Sequence, residues 1–278
     1  VNIGYRLPGA GTPEARKLRV MDGILSNGQA GLIDLNLVQK QKVLRAYSSP
    51  TVLKDYSMLM LSGNPREGQD LNEVADLLRE QIEMIKAGEF EDWMVEAVVN
   101  DMKLNELRQT ESNWSRAGNM VNAFIYGEEW SDVVSQYDEM AKLTKQDIVD
   151  FANEWFGDNY VQVNKRLGEN NAVKVEKPQI TPVDIDRDSQ SEFYAEWDSI
   201  ESGRIDPVFV DYEEAITKEN LQSGIEFFNI ENENNDLFSL YYIVDMGTDH
   251  DQLLGLAVEY LHYLGTKDMT AEELRKEL

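Results

Sequence analysis

His250 and His262 are the whole imidazole supply of this 278-residue chain, and there is no cysteine. That composition removes disulfides, thiolate-held zinc, iron–sulfur clusters and thiol nucleophiles. A catalytic zinc site needs three protein ligands in fixed geometry and an open position for water. The two histidines stand twelve residues apart (262 minus 250), which on a straight helix is a rise of about 18 Å, too far for one ion. Asp249-His250-Asp251 groups three possible ligands, but adjacent side chains point in different directions. The cluster also precedes a helix, where Asp caps orphan N–H groups and offsets the helix dipole. Glu259 and His262, three residues apart on that helix, suit a side-chain contact. Glu111-Ser-Asn-Trp-Ser-Arg116 lies between two helices and reads as a helix start with Trp114 packed inward. No Ser/His/Asp constellation and no phosphate-binding loop stands out, and the Gly-rich patches are turns.

The charge balance narrows the partners. With 52 acidic against 26 basic residues the formal net charge is −26. Such a surface repels phosphate backbones and anionic membranes, whose binding rests on Lys and Arg, so nucleic acid is not expected as a partner. The acidic excess reads first as solvated surface and second as an attraction for basic peptides. No apolar run approaches the roughly 20 residues of a membrane span, and no charged-then-apolar signal segment opens the chain.

The elements that would position these residues fall into two regions. Residues 1–8 alternate like a strand and close at Pro8-Gly9. An amphipathic helix with Leu18, Val20, Met21, Ile24 and Leu25 follows, from Pro13 to Asn27-Gly28. Val43–Ser49 and Tyr56–Ser62 alternate like paired strands, and Leu71–Ala87 is a helix with Val74, Leu77, Leu78, Ile82 and Ile85 on one side. Helix continues from about Asp92 to Glu139, broken near Glu111–Ser115 and at Tyr126-Gly127. Thr144-Lys-Gln-Asp147 starts another helix, running to about Trp155, and Asp158–Val163 is a closing strand. This order predicts an α+β fold, an antiparallel sheet with helices on one face.

From Gly168 to Val208 the periodicity disappears. The segment carries Pro178, Pro182 and Pro207 and ten acidic against four basic residues, so it reads as an extended acidic linker with Phe193, Tyr194 and Trp197 packed on something. Beyond it, Ile225–Ile230 and Leu237–Val244 flank the turn-rich Glu231–Asp236 as a hairpin, and a helix runs from about Asp249 to Leu264. Gly11-Thr12 to Gly28 and Gly247-Thr248 to Gly265 each follow a Tyr-bearing strand and enclose an amphipathic helix, with Gly-to-Gly intervals differing by one residue. Two copies of one module are therefore expected. The domains are placed at 1–166, a linker at 167–208 and an incomplete second copy at 209–278. Both ends look cut: Val1 opens inside a strand-like alternation, and the capping box Thr270-Ala-Glu-Glu273 starts a helix just before Leu278.

Three segments together resemble the pitrilysin/insulinase family of zinc metallopeptidases, the inverted zincins with the motif H-x-x-E-H. Tyr5-Arg-Leu-Pro-Gly9 with Ile24-Leu-Ser-Asn-Gly28 is similar to the start of that family's second domain. Leu143-Thr-Lys-Gln-Asp-Ile-Val-Asp-Phe-Ala152 is similar to its closing segment. Leu256-Ala-Val-Glu-Tyr-Leu-His-Tyr-Leu-Gly-Thr266, with Ala271-Glu-Glu273 downstream, resembles the metal-binding helix. In that register the motif histidines fall on Leu256 and Tyr260, and only Glu259 survives. Leu256 and Tyr260 are then expected in a core and Glu259 on the surface or in a salt bridge, since a lone carboxylate without a metal has no acidified water to work on.

The resemblance implies a duplicated LuxS/metallopeptidase-like module and a peptidase built of two halves, of which this chain would be the second domain of the first half, the linker and the start of a degenerate second half. It implies no catalytic and no metal-binding residue here, with Zn held in an upstream catalytic domain. It further implies peptide as substrate, the rest of the parent protein as partner, and a role as chamber wall and hinge. A homo-oligomer is possible on this basis, and an exported or periplasmic location is what large bacterial relatives suggest. The rival expectation is a non-catalytic binding or scaffolding subunit of the same family.

Overall fold

The computed structural model describes residues 1–169 and 175–277; positions 170–174 of the expected linker, and Leu278, lie outside the described residues. Contacts divide the chain into two compact units, Val1–Leu167 with Ile243–Leu278, and Gly168–Tyr242.

The first unit is built on a four-stranded antiparallel sheet of order β2-β3-β1-β4, from β1 (Asn2–Pro8), β2 (Arg45–Val52), β3 (Tyr56–Asn64) and β4 (Tyr160–Val163). The period-two alternation of β1 sets its inner face, Ile3, Tyr5 and Leu7, all buried. Their register partners on β3 are Leu61, Leu59 and Ser57, also buried. Helices α1 (Pro13–Leu25), α2 (Leu71–Lys86) and α6 (Lys145–Trp155) carry buried apolar stripes in the same core cluster. Gly63 is a close approach of sheet and helix: a Cβ there would lie 2.6 Å from Val74 Cγ1 of α2.

The other helices of residues 1–167 are α3 (Met94–Thr110), α4 (Asn113–Tyr126) and α5 (Trp130–Met140). They fall where the sequence breaks are. Gly127 ends α4 in the left-handed region at φ 70°, which glycine adopts without steric cost. Thr12 caps α1 by accepting from Ala15 N, and α6 opens on the predicted capping box. There Asp147 N donates to Thr144 Oγ1 at 3.2 Å, and Thr144 N donates to Asp147 Oδ2 at 2.8 Å. These bonds hold the Asp147 carboxyl below its ordinary pKa.

The second unit holds α7 (Glu192–Asp198), α8 (Tyr212–Ala215) and the hairpin β5 (Thr217–Asn220) with β6 (Glu226–Asn229). The hairpin differs from expectation. The sequence pattern pairs Ile225–Ile230 with Leu237–Val244, yet Glu226–Asn229 pairs backward with Thr217–Asn220. Gly224, at φ 80°, makes the reversal, with Gly224 N on Leu221 O and Leu221 N on Ile225 O. The Glu231–Asp236 stretch instead folds on itself, Asn232 Nδ2 donating to Leu237 O at 2.8 Å. Among the described residues from 243 to 277, helix is limited to α9 (Leu254–Tyr260), a 3₁₀ turn Leu261–Tyr263 and α10 (Ala271–Glu277). The helix expected from Asp249 therefore starts five residues later, at Leu254.

Candidate functional site

The α9 region, where the metal-motif register falls, carries none of the geometry of a metal site. Leu256 is 70 % exposed and Tyr260 58 % exposed, which corrects the expectation that both sit in a core. No strand forms over Leu237–Val244, and no residue of α9 is buried. Glu259 is exposed, as expected. His250 Nδ1 accepts from Gly247 N at 3.2 Å, and Asp251 Oδ1 accepts from Leu253 N at 2.9 Å. The Asp-His-Asp cluster thus organises the turn before α9, with Asp251 making the Asx-type contact. His262 supplies its backbone carbonyl to Arg275 Nη2 at 3.1 Å. Among the described residues no group of three or more His, Asp or Glu is placed to hold a metal ion.

Gly265-Thr266 and Thr270-Glu273, the downstream part of that register, perform a turn and a cap. Thr266 N donates to Met269 O at 2.9 Å, and a Cβ on Gly265 would meet that same oxygen at 2.1 Å, so the turn requires glycine. Thr270 and Glu273 form the predicted capping box: Glu273 N donates to Thr270 Oγ1, and Thr270 N to Glu273 Oε2. Trp114 is 87 % exposed on α4, against the expectation that it packs inward. Arg116 instead fastens the α3–α4 junction, donating to Thr110 O and to Asn113 Oδ1.

Two arrangements on the first unit were not anticipated from the sequence. The first is the free face of the sheet. Strand alternation puts Tyr47, Tyr56, Met58, Val161 and Val163 opposite the core, and all are exposed. Arg6 lies 4.7 Å over the Tyr56 ring and Arg45 5.2 Å over the Tyr47 ring, so two cations are stacked on two aromatic faces. The strand periodicity alone could have identified this face.

The second is a pair of acids beside the end of α1. Asp34, in a π-helical turn (Asp34–Gln39), accepts from Asn27 N and Gly28 N, each at 2.9 Å, and so ties down the loop after α1. Asn27 Oδ1 in turn accepts from Gln29 N and Ala30 N. Burial raises the Asp34 pKa against the pull of these bonds. Asp22 is pushed up to about 6, first by burial, with the neighbouring Asp34 charge adding to it and Ser48 opposing. Asp22 Oδ1 is shielded from solvent and has no hydrogen-bond partner.

Residues 1–102 match the model of the peptidase M16 inactive domain, which bears out the family resemblance over that part of the chain. Among solved structures, a protease from Helicobacter pylori aligns with TM-score 0.54 at 19 % identity, over 57 % of this chain and 39 % of that one. The inactive peptidase domain of a candidate zinc protease from Bordetella parapertussis aligns with TM-score 0.51 at 19 % identity, over 58 % of this chain and 87 % of that one. A candidate zinc protease from Bordetella pertussis gives TM-score 0.52 at 17 % identity, over 58 % of this chain and 89 % of that one. The chain thus spans less than half of the Helicobacter protease. At these identities the likeness establishes the fold, an antiparallel sheet with helices packed on it. A comparison with curated proteins finds no match.

Proposed function

We propose that this chain is the non-catalytic portion of a two-half zinc metalloendopeptidase that hydrolyses peptides in a closed chamber. The observation that carries the reading is the match of residues 1–102 to a peptidase domain described as inactive. The α9 region supports it, because Leu256 and Tyr260 stand where the family register would place metal ligands, and neither can bind zinc in such a site. In this proposal no residue of the chain is catalytic or binds metal, and the zinc belongs to a catalytic partner domain bearing H-x-x-E-H. Residues 1–166 form the domain, 167–208 an acidic linker, and 209–278 the incomplete start of the second half. No helix among the described residues is long and apolar enough to cross a membrane.

The free face of the sheet is the chamber wall in this reading. Tyr47, Tyr56, Met58, Val161 and Val163 offer an apolar and polarisable surface that accepts varied side chains. Arg6 and Arg45, stacked on tyrosines, add fixed positive charge for acidic groups of a peptide. A surface of this kind binds loosely and tolerates many sequences, which suits a wall and not a catalytic centre.

The test combines two measurements. Elemental analysis after dialysis against trace zinc, beside a fluorogenic-peptide assay with and without chelator, is expected to find neither retained zinc nor cleavage for the chain alone. In complex with its catalytic partner, Tyr47→Ala with Tyr56→Ala is expected to raise KM several-fold with kcat little changed, the mark of lost ground-state binding. One equivalent of zinc with chelator-sensitive cleavage by the chain alone would overturn the reading. Peptide hydrolysis by the partner that is indifferent to the chain would favour a scaffolding subunit instead.

A further inference from the structure

The helical layer carries a concave surface of its own, opposite the free face of the sheet. Helices α1 and α3 touch at Gly23, where a Cβ would come within 2.4 Å of Val98 Cγ1. Beside this contact lies a groove of about 670 Å³, with Trp93, Val98 and Met102 among its apolar lining and Asp22, Asp101 and Glu106 among its acids. Among the described residues none of these three acids takes part in an ion pair. Asp101 accepts from Asn105, and Glu106 from Asn119 and Tyr137, all neutral donors. Asp22 has a hydroxyl and another carboxylate as its electrostatic neighbours. Arg19, the cation of α1 on the groove wall, has its guanidinium on Gln136 Oε1 at 2.8 Å.

A basic turn already stands at the mouth. Arg275 and Lys276 of α10 line the groove, Arg275 Nη1 donating to Gln29 O at 3.0 Å. Its other terminal nitrogen is on the His262 carbonyl, and Lys276 pairs with Glu272 of its own helix at 3.2 Å. The groove therefore already takes a guanidinium by a backbone carbonyl, while Asp22, Asp101 and Glu106 have no ion-pair partner among the described residues. A longer basic segment would lay aliphatic stems on Trp93 and Met102 and bring its cations to those carboxylates.

We propose that the α1–α3 groove is a docking site for a basic peptide segment, with Asp22 and Asp101 as its charge-recognising residues. The inference stands apart from the chamber reading, because it uses the helical layer and requires no catalytic partner. The test is fluorescence anisotropy of a labelled ten-residue Arg/Ala peptide, and of its Glu/Ala counterpart, with the full chain at about 0.15 M salt, where diffuse attraction is largely screened. The basic peptide is expected to bind and the acidic one not. Asp22→Asn with Asp101→Asn should weaken binding at least fivefold, while Glu80→Gln with Glu154→Gln, which removes the same charge from exposed positions elsewhere, should change it less than twofold. Arg275→Ala, which clears the mouth, should strengthen binding. Thermal melts confirm that each variant is folded. Equal losses in the two double variants would assign the effect to overall charge and overturn the proposal, as would absence of binding to both the parent chain and Arg275→Ala.

Discussion

At the scale of single residues, the chain places its strained electrostatics away from the α9 region. Asp22 is half-buried beside Asp34, and its carboxyl is pushed up to about 6 from an ordinary carboxylate value, chiefly by burial. A raised folded-state pKa means the native state binds this proton more tightly than the unfolded chain does. The stabilisation is complete below the unfolded value and is lost as pH rises through about 4 to 6, leaving a desolvated charge above that window. Asp22→Asn removes the charge and keeps the shape. It is expected to raise stability by about 1–3 kcal/mol at pH 7.5 and to have little effect at pH 4. Urea denaturation of both proteins at the two pH values measures this, and an equal change at both would refute the charge-based account. Asp34, also buried, differs because three backbone N–H groups answer it, so its carboxylate is the fixed point of the loop after α1.

At the scale of elements, two glycines in helices separate propensity from packing. In an exposed helix interior, Gly→Ala stabilises by about 1 kcal/mol because glycine loses more backbone entropy on folding. A Cβ added to Gly118 of α4 would have nothing within 4 Å, so Gly118→Ala should follow that rule. Gly23 of α1 faces Val98 Cγ1 at 2.4 Å, and Val98 is itself buried. Gly23→Ala must push α1 and α3 apart and should destabilise by about 1–3 kcal/mol despite the better helix propensity. Opposite shifts in chemical denaturation midpoint are the expected result; stabilisation by both substitutions would mean the α1–α3 contact is loose.

At the scale of the whole molecule, burial is unevenly distributed. Every buried residue among those described lies between Ile3 and Phe156. The 175–277 stretch contains helices and a hairpin but contributes nothing buried. Segments with few buried contacts open readily, and their exposed backbone is what proteases cut. Dilute protease is therefore expected to cleave first within 168–208 and to leave a resistant fragment beginning at Val1, identified by N-terminal sequencing and mass. Primary cleavage inside α2, α3 or α6 would contradict this distribution of stability.

The sequence by itself determined what depends on near neighbours along the chain. The stripe of Val74, Leu78, Ile82 and Ile85, the breaks near Ser112 and at Gly127, and the capping boxes at Thr144 and Thr270 all appear in the structure. Each is set by helical periodicity or by hydrogen bonds spanning three or four residues, so the local residues suffice. That Leu256 and Tyr260 stand where the resemblance places the motif histidines is likewise read from residue identity alone. Tertiary structure decided which strand Glu226–Asn229 pairs with, that Leu256, Tyr260 and Trp114 are exposed, and that Asp22 and Asp34 share one corner of the core. Apolar character makes a residue suitable for burial, but burial itself requires a distant surface to cover it. Likewise, an acid's pKa depends on the charges and solvent that the fold gathers around it, and neither is written in the residues on either side.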